Sequence, residues 1–162
     1  VLFWLNLQAA TGKTVNQIVA EHWARFGRHY YSRHDYEGLD VGVANGLMAS
    51  LRERLSWFAG QQFGSYTVAF ADDFAYDDPL DGSRTTGQGV RVVFENGARV
   101  VYRLSGTGTE GATLRVYLDL FEPNPARHAV PVQDMLAGLI MIAGDLAEIT
   151  LRTGRSVPDV IA

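Results

Sequence analysis

The chain has 162 residues, 47% hydrophobic and 20% charged, a balance that predicts a globular domain with a sizeable core and excludes a fibrous or low-complexity chain. Its net charge of −4 argues against a broad nucleic-acid surface, which normally carries a basic excess. With no cysteine there is neither a disulfide framework nor a thiolate metal site, which fits a cytoplasmic setting.

Val1-Leu2-Phe3-Trp4-Leu5 is apolar on every side, too short to span a bilayer and without the basic start of a signal peptide. No membrane partner is expected. The segment reads as the interior of a buried helix, with further chain expected ahead of residue 1. This first helix runs to about Ala10 and stops at Gly12. Thr14-Val15-Asn16-Gln17 is a capping box. Val15, Ile18, Val19, His22, Trp23 and Phe26 then fall at helical spacing until Gly27, completing an αα-hairpin. His29 to Tyr36 alternates well enough for a strand. Asp40 can cap a helix whose core face is Val43, Leu47, Leu51, Leu55 and Phe58, ending at Gly60.

The period then changes from helical to alternating. Tyr66, Val68 and Phe70 alternate with Thr67 and Ala69, and Val90, Val92 and Phe94 with Arg91, Val93 and Glu95. Glu95-Asn96-Gly97-Ala98 signals a tight hairpin. Beyond it, Val100, Tyr102 and Leu104 face one way and Arg99, Val101 and Arg103 the other. In the next strand Ala112, Leu114, Val116, Leu118 and Leu120 lie opposite Thr113, Arg115, Tyr117 and Asp119, as expected of an antiparallel sheet with one covered face. A last helix starts near Pro131 and presents Met135, Leu136, Leu139, Ile142, Ala143, Leu146 and Ile149 on one side. From residue 30 the order is β, α, four strands, α: an α+β fold with an antiparallel sheet covered on one face by two helices and preceded by an αα-hairpin.

The chemically informative stretch joins the last two of those four strands: Arg103-Leu-Ser-Gly-Thr-Gly-Thr-Glu-Gly-Ala-Thr-Leu-Arg115. Glycines let backbone N–H groups turn inward around an anion, and Ser105, Thr107 and Thr109 add hydroxyl donors. Arginine supplies a planar fork matched to phosphate oxygens. A Gly-rich hairpin with exposed arginines is the plainer reading of the same residues. Strand parity favours the anion site. Pairing about a centre near Thr109 places Arg103 and Arg115 opposite each other on the polar face, where like charges repel and an anionic ligand reverses the sign. A phosphomonoester suits two forks better than a carboxylate does, and Glu110 is expected to point to solvent.

His22, His29, His34 and His128 do not form a spaced metal set. The acidic run Asp72, Asp73, Asp77, Asp78 and Asp81 lacks the ligand spacing of a calcium loop and reads as a solvated turn. Arg33 can reach a phosphate across a cleft or anchor a hinge, and the hinge role is preferred.

The loop Arg103–Arg115 resembles the phosphate-binding loop of the α-D-phosphohexomutase superfamily, and within it the phosphoglucomutases. His22-Trp-Ala-Arg-Phe-Gly-Arg-His-Tyr-Tyr-Ser-Arg-His-Asp-Tyr-Glu37, Ala71-Asp-Asp-Phe-Ala-Tyr-Asp-Asp-Pro-Leu-Asp-Gly-Ser83 and the tail Arg152-Thr-Gly-Arg-Ser-Val-Pro-Asp-Val-Ile161 are similar to the same enzymes, so the likeness spans nearly the whole chain. It implies the end of the third domain (residues 1–30) followed by the fourth, phosphate-binding C-terminal domain (residues 31–162), the latter like the TATA-binding protein in fold. It further implies Arg103, Ser105, Gly106, Thr107, Thr109 and Arg115 as the residues that hold the substrate phosphate not being transferred. The activity implied is interconversion of glucose 1-phosphate and glucose 6-phosphate with Mg2+. The Thr-Ala-Ser-His-Asn serine loop, the Asp-Gly-Asp-Gly-Asp-Arg magnesium loop and the Gly-Glu-Glu-Ser sugar loop have no counterpart here. The resemblance therefore implies no catalytic residue and no metal ligand in this chain, partnership with upstream domains one to three, and no turnover by the chain alone. A stand-alone phosphosugar-binding module, or a structural domain without catalysis, is the alternative.

Overall fold

Two helices open the chain in the computed structural model, which describes residues 1–106 and 111–162. Helix α1 (Leu2–Thr11) ends at Gly12, and α2 (Val15–Phe26) starts from the expected capping box. Gln17 N–H donates to Thr14 Oγ1 (3.3 Å) and Thr14 N–H to Gln17 Oε1 (2.9 Å), satisfying two end donors reciprocally. Neither helix buries a residue: Val1, Leu2 and Phe3 are 97%, 77% and 70% exposed, so the apolar start is not an interior segment within this chain. The hairpin is joined to the sheet through Arg28, whose guanidinium stacks between the rings of Trp23 (4.1 Å) and Tyr30 (4.0 Å).

Strand β1 (Arg28–Leu39) is followed by α3 (Val41–Glu53), capped by Asp40 Oδ1, which accepts from Val43 N–H at 2.9 Å. The expected helix to Gly60 breaks at Arg54, and a short α4 (Leu55–Phe58) follows. Arg54 Nη2 donates to the carbonyl of Leu146, at the end of α5 (Val132–Leu146), at 2.9 Å; one side chain thereby closes one helix and caps another. The face turned to the core is Ala44, Leu47, Met48 and Leu51, while Val43 is 38% exposed. The last helix also breaks, at Glu148, the only non-glycine residue with positive φ (50°) among those described, and α6 (Ile149–Thr153) completes it. Arg152 Nε donates to the Glu148 carboxylate at 2.8 Å, and its Nη2 to Ser50 Oγ at 2.8 Å, which holds that turn against α3.

The remaining strands are β2 (Gln62–Phe63), β3 (Tyr66–Asp73), β4 (Tyr76–Asp77), β5 (Arg84–Thr85), β6 (Val90–Phe94), β7 (Arg99–Ser105), β8 (Ala112–Glu122) and β9 (Val160–Ile161). Seven form one antiparallel sheet in the order β2-β3-β6-β7-β8-β1-β9, and β4 and β5 pair separately. The β-α-β(4)-α order is as expected, with the short strands and the ribbon as additions. In β3 the register shifts between Val68 and Phe70, which turns Phe70 outward (44% exposed) and lets Ala71 pack on the core. The bulge breaks the plain alternation.

One face of the sheet, through Val90, Val92, Phe94, Val100, Tyr102, Leu114, Val116 and Leu118, packs beneath Leu47, Leu51, Phe58, Leu136, Leu139 and Leu146 of the helices. On β1 the residues on this face are Tyr30, Ser32, His34 and Tyr36. Their polar atoms are partnered: Tyr30 Oη donates to the Arg127 carbonyl (2.6 Å), Gln133 Nε2 donates to Ser32 Oγ (3.0 Å), and Gln133 Oε1 lies 3.0 Å from His34 Nε2. Among the described residues the other face of the sheet carries no helix, and it positions the site.

Candidate phosphate-binding site

Register decides what meets on the open face. Arg103 of β7 pairs directly with Arg115 of β8, Leu104 with Leu114 and Ser105 with Thr113, as the sequence parity predicts. On the far side of β8, Arg115 pairs with Asp35 of β1, so Arg103, Arg115 and Asp35 form one row across three strands. The next rows place Arg91, Val101, Tyr117 and Arg33 side by side, then Arg99, Asp119 and Tyr31.

Most of these arginines have a carboxylate. Arg91 grips Asp72 with two of its nitrogens (Nε to Oδ1 3.0 Å, Nη2 to Oδ2 2.6 Å), and donating these hydrogen bonds to Asp72 raises its pKa above the usual guanidinium value. Arg99 Nη2 donates to Asp119 Oδ2 at 2.9 Å. Arg33 Nε donates to Asp35 Oδ1 at 2.9 Å, and Arg115 Nε stands 3.8 Å from Asp35 Oδ2. Arg103 makes only a long contact to Gln88 Oε1, 3.5 Å, and no ion pair among the described residues. The row of Arg103, Arg115 and Asp35, with Arg33 beside it, thus holds more positive than negative charge.

A trough of about 680 Å³ runs along this face, lined in part by Arg33, Arg91, Arg99, Arg103, Phe74 and Tyr117. Ser105 and Gly106 lie at the loop end of β7, with Gly106 at φ 68°. At the other end of the loop Gly111 has φ 96°, and a Cβ there would stand 3.0 Å from the Leu39 carbonyl oxygen. Only glycine allows that close approach of the loop to β1. Thr107, Thr109 and Glu110 lie outside the described residues. Of the six residues named from the sequence, Arg103, Ser105, Gly106 and Arg115 are described, and the sheet brings the two arginines together.

Arg33 is mid-strand, pairs with Tyr117 on one side, and exchanges backbone hydrogen bonds with Ala162 on the other (2.8 and 2.9 Å), so its backbone is held on both edges. Asp35 was missed by sequence reasoning. Alternation along Arg33-His34-Asp35-Tyr36 puts it on the polar face, but its partner Arg115 is 80 positions away in sequence.

Among the described residues no group of three or more His, Asp or Glu side chains could hold a metal ion. No helix among them is long and apolar enough to cross a membrane.

The description "Phosphoglucomutase-1, C-terminal domain" matches residues 28–159. The chain belongs to that family. It is similar to the phosphoglucomutase of Rhizobium radiobacter, 53% identical over 161 residues that cover 99% of this chain and 30% of that protein. To human phosphoglucomutase-1 it is 44% identical over 168 residues, again 99% of this chain and 30% of the other. Among solved structures it superposes on the open form of the exocytosis-sensitive phosphoprotein pp63/parafusin, a phosphoglucomutase from Paramecium, with a TM-score of 0.85 at 38% identity, covering 98% of this chain and 28% of that one. The chain therefore spans about 30% of the length of the phosphoglucomutases it matches. The matched fold is this phosphoglucomutase C-terminal domain, with the arginine-bearing face of its sheet left open.

Proposed function

We propose that this chain is the substrate-phosphate-binding domain of a phosphoglucomutase interconverting glucose 1-phosphate and glucose 6-phosphate. The observation that carries the reading is the direct cross-strand pairing of Arg103 and Arg115 at the base of a loop that starts with Ser105 and Gly106. In this reading Arg103, Ser105, Gly106, Thr107, Thr109 and Arg115 hold the phosphate that is not transferred, and its binding energy orients the sugar for chemistry performed elsewhere. The catalytic serine and the Mg2+ ligands belong to domains one to three, whose motifs this chain does not contain; the donor set described here does not fit a metal. Residues 1–30 are then the end of domain three and 31–162 the fourth domain, a division that falls within β1. A cytoplasmic setting belongs to the same reading and is supported by the absence of cysteine.

With one wall of the cleft only, the chain should bind glucose 6-phosphate no more tightly than about 1 mM, about −4 kcal/mol. The test is an NMR titration of the 162-residue chain with glucose 6-phosphate, read at the Ser105 and Gly106 amides, beside an assay for conversion of glucose 1-phosphate. Saturable shifts that Arg103→Ala and Arg115→Ala abolish, with no turnover, are expected. Absence of shifts at tens of millimolar would remove the loop from the site. Turnover by the chain alone would overturn the assignment of the chemistry to other domains.

A further inference from the structure

We propose that Asp35 is a positioning residue for Arg115: its buried carboxylate holds the inner edge of the guanidinium so that the outer nitrogens face a phosphate. The proposal rests on the reading of Arg103 and Arg115 as a phosphate site. Asp35 is 3% exposed although it lies on the face that carries no helix. What buries it is a local frame. Its backbone pairs with Arg115 on one side and with Val160 on the other, and its carbonyl accepts from Asp159 N–H at 2.8 Å. The frame is closed by Asp159 Oδ2, which accepts from Glu37 N–H (2.8 Å), and by Arg155 Nη1, 3.2 Å from Asp159 Oδ1.

Held there, the carboxylate is divided between two arginines. Oδ1 accepts from Arg33 Nε at 2.9 Å, and Oδ2 faces Arg115 Nε at 3.8 Å. Arg115 Nε is buried and has no hydrogen-bond partner among the described residues. A buried N–H left 3.8 Å from a carboxylate is under-satisfied, and a movement of less than an ångström completes the bond. An anion on the outer nitrogens fixes the plane of the guanidinium, and with it the direction of Nε–H toward Oδ2. Phosphate in front and carboxylate behind then constrain one planar group from both edges. The logic matches that of a carboxylate that hydrogen-bonds the far nitrogen of a metal-ligating histidine and so fixes its ring.

Charge alone predicts the opposite sign. Asp35 is an anion near an anion site, so if it acted only through its charge, Asp35→Asn would tighten phosphate binding. The positioning role predicts weaker binding. The experiment titrates the chain with inorganic phosphate, following the Ser105 and Gly106 amides and the Arg115 Nε–H resonance in wild type and in Asp35→Asn, with thermal melting to check folding. Expected in wild type is an Arg115 Nε–H signal that exchanges slowly with water and shifts on phosphate addition. In Asp35→Asn, phosphate should bind about tenfold more weakly and the signal should lose its protection.

Equal or tighter phosphate binding by Asp35→Asn overturns the role of Asp35 while the phosphate reading stands. No response of wild-type Ser105 and Gly106 to phosphate overturns the phosphate reading and this proposal with it. Should Asp35→Asn fail to fold, the wild-type resonance decides: rapid exchange of Arg115 Nε–H in saturating phosphate overturns the proposal.

Discussion

Arg103 and Arg115 are direct cross-strand partners on β7 and β8, two cations facing each other on one side of a sheet. Arg115 has Asp35 nearby, whereas among the described residues Arg103 makes only the 3.5 Å contact to Gln88. Replacing Arg103 by glutamine removes the repulsion and keeps most of the side chain. In phosphate-free buffer Arg103→Gln should raise stability by about 0.2–1 kcal/mol. The same change should weaken phosphate binding by about tenfold or more, because a charge-assisted fork is lost. Urea unfolding with and without phosphate reads both effects. A variant less stable than wild type without ligand would show that the pair does not repel.

Gly89, which precedes β6, lies close against β7 beside Arg103. A Cβ there would lie 2.5 Å from the Tyr102 carbonyl oxygen and 2.7 Å from Arg103 Cγ, at a φ of 149° that disfavours a side chain. Gly89→Ala should cost about 1–3 kcal/mol by forcing β6 and β7 apart. It should also displace Arg103 and shrink the phosphate-induced shifts at Ser105. Urea unfolding and the titration measure the two consequences separately.

Tyr102 is fully buried beneath α5, and its hydroxyl donates to the Ala143 carbonyl at 2.8 Å. Burial raises the phenol far above its ordinary value of 10.0, and it raises Tyr36 and Tyr66 in the same sense. The folded state therefore retains protons that the unfolded chain releases from about pH 10. Stability is complete below that pH and falls as pH rises beyond it. Tyr102→Phe should cost about 0.5–1.5 kcal/mol near neutrality through the lost hydrogen bond and should flatten the alkaline decline. Urea midpoints between pH 7 and 11 check the slope.

Arg28 ties the helical hairpin to the sheet by stacking between Trp23 and Tyr30, with Nη1 3.1 Å from Tyr30 Oη and a second hydrogen bond to the His128 carbonyl. Arg28→Ala removes stacking worth about 0.5–2 kcal/mol. Hydrogen exchange should accelerate in α2 and stay slow in β7, as expected if the hairpin and the sheet domain are separate cooperative units. Equal acceleration in both would show that they open together.

Much of the framework was legible because it is written in contiguous residues. The Thr14–Gln17 capping box, the Asp40 cap, the Glu95–Ala98 turn and the opposition of Arg103 and Arg115 all follow from neighbours within a few positions, or from counting outward from a turn. Where the reading failed, a distant contact intervened. Arg54 ends α3 where it meets the carbonyl of Leu146, and the Val68–Phe70 bulge reverses the parity that made Phe70 a core residue.

The sequence by itself determined the α+β element order, the covered face of the sheet and the pairing of the two arginines, because helical and strand periods and hairpin symmetry are local properties of the chain. Only the tertiary structure decided that Asp35 sits behind Arg115 and that Arg33, Arg91 and Arg99 share a trough with Arg103. Those placements come from β1 pairing with a strand some 80 residues later, an arrangement selected by burial of the whole core and carried by no short stretch of sequence.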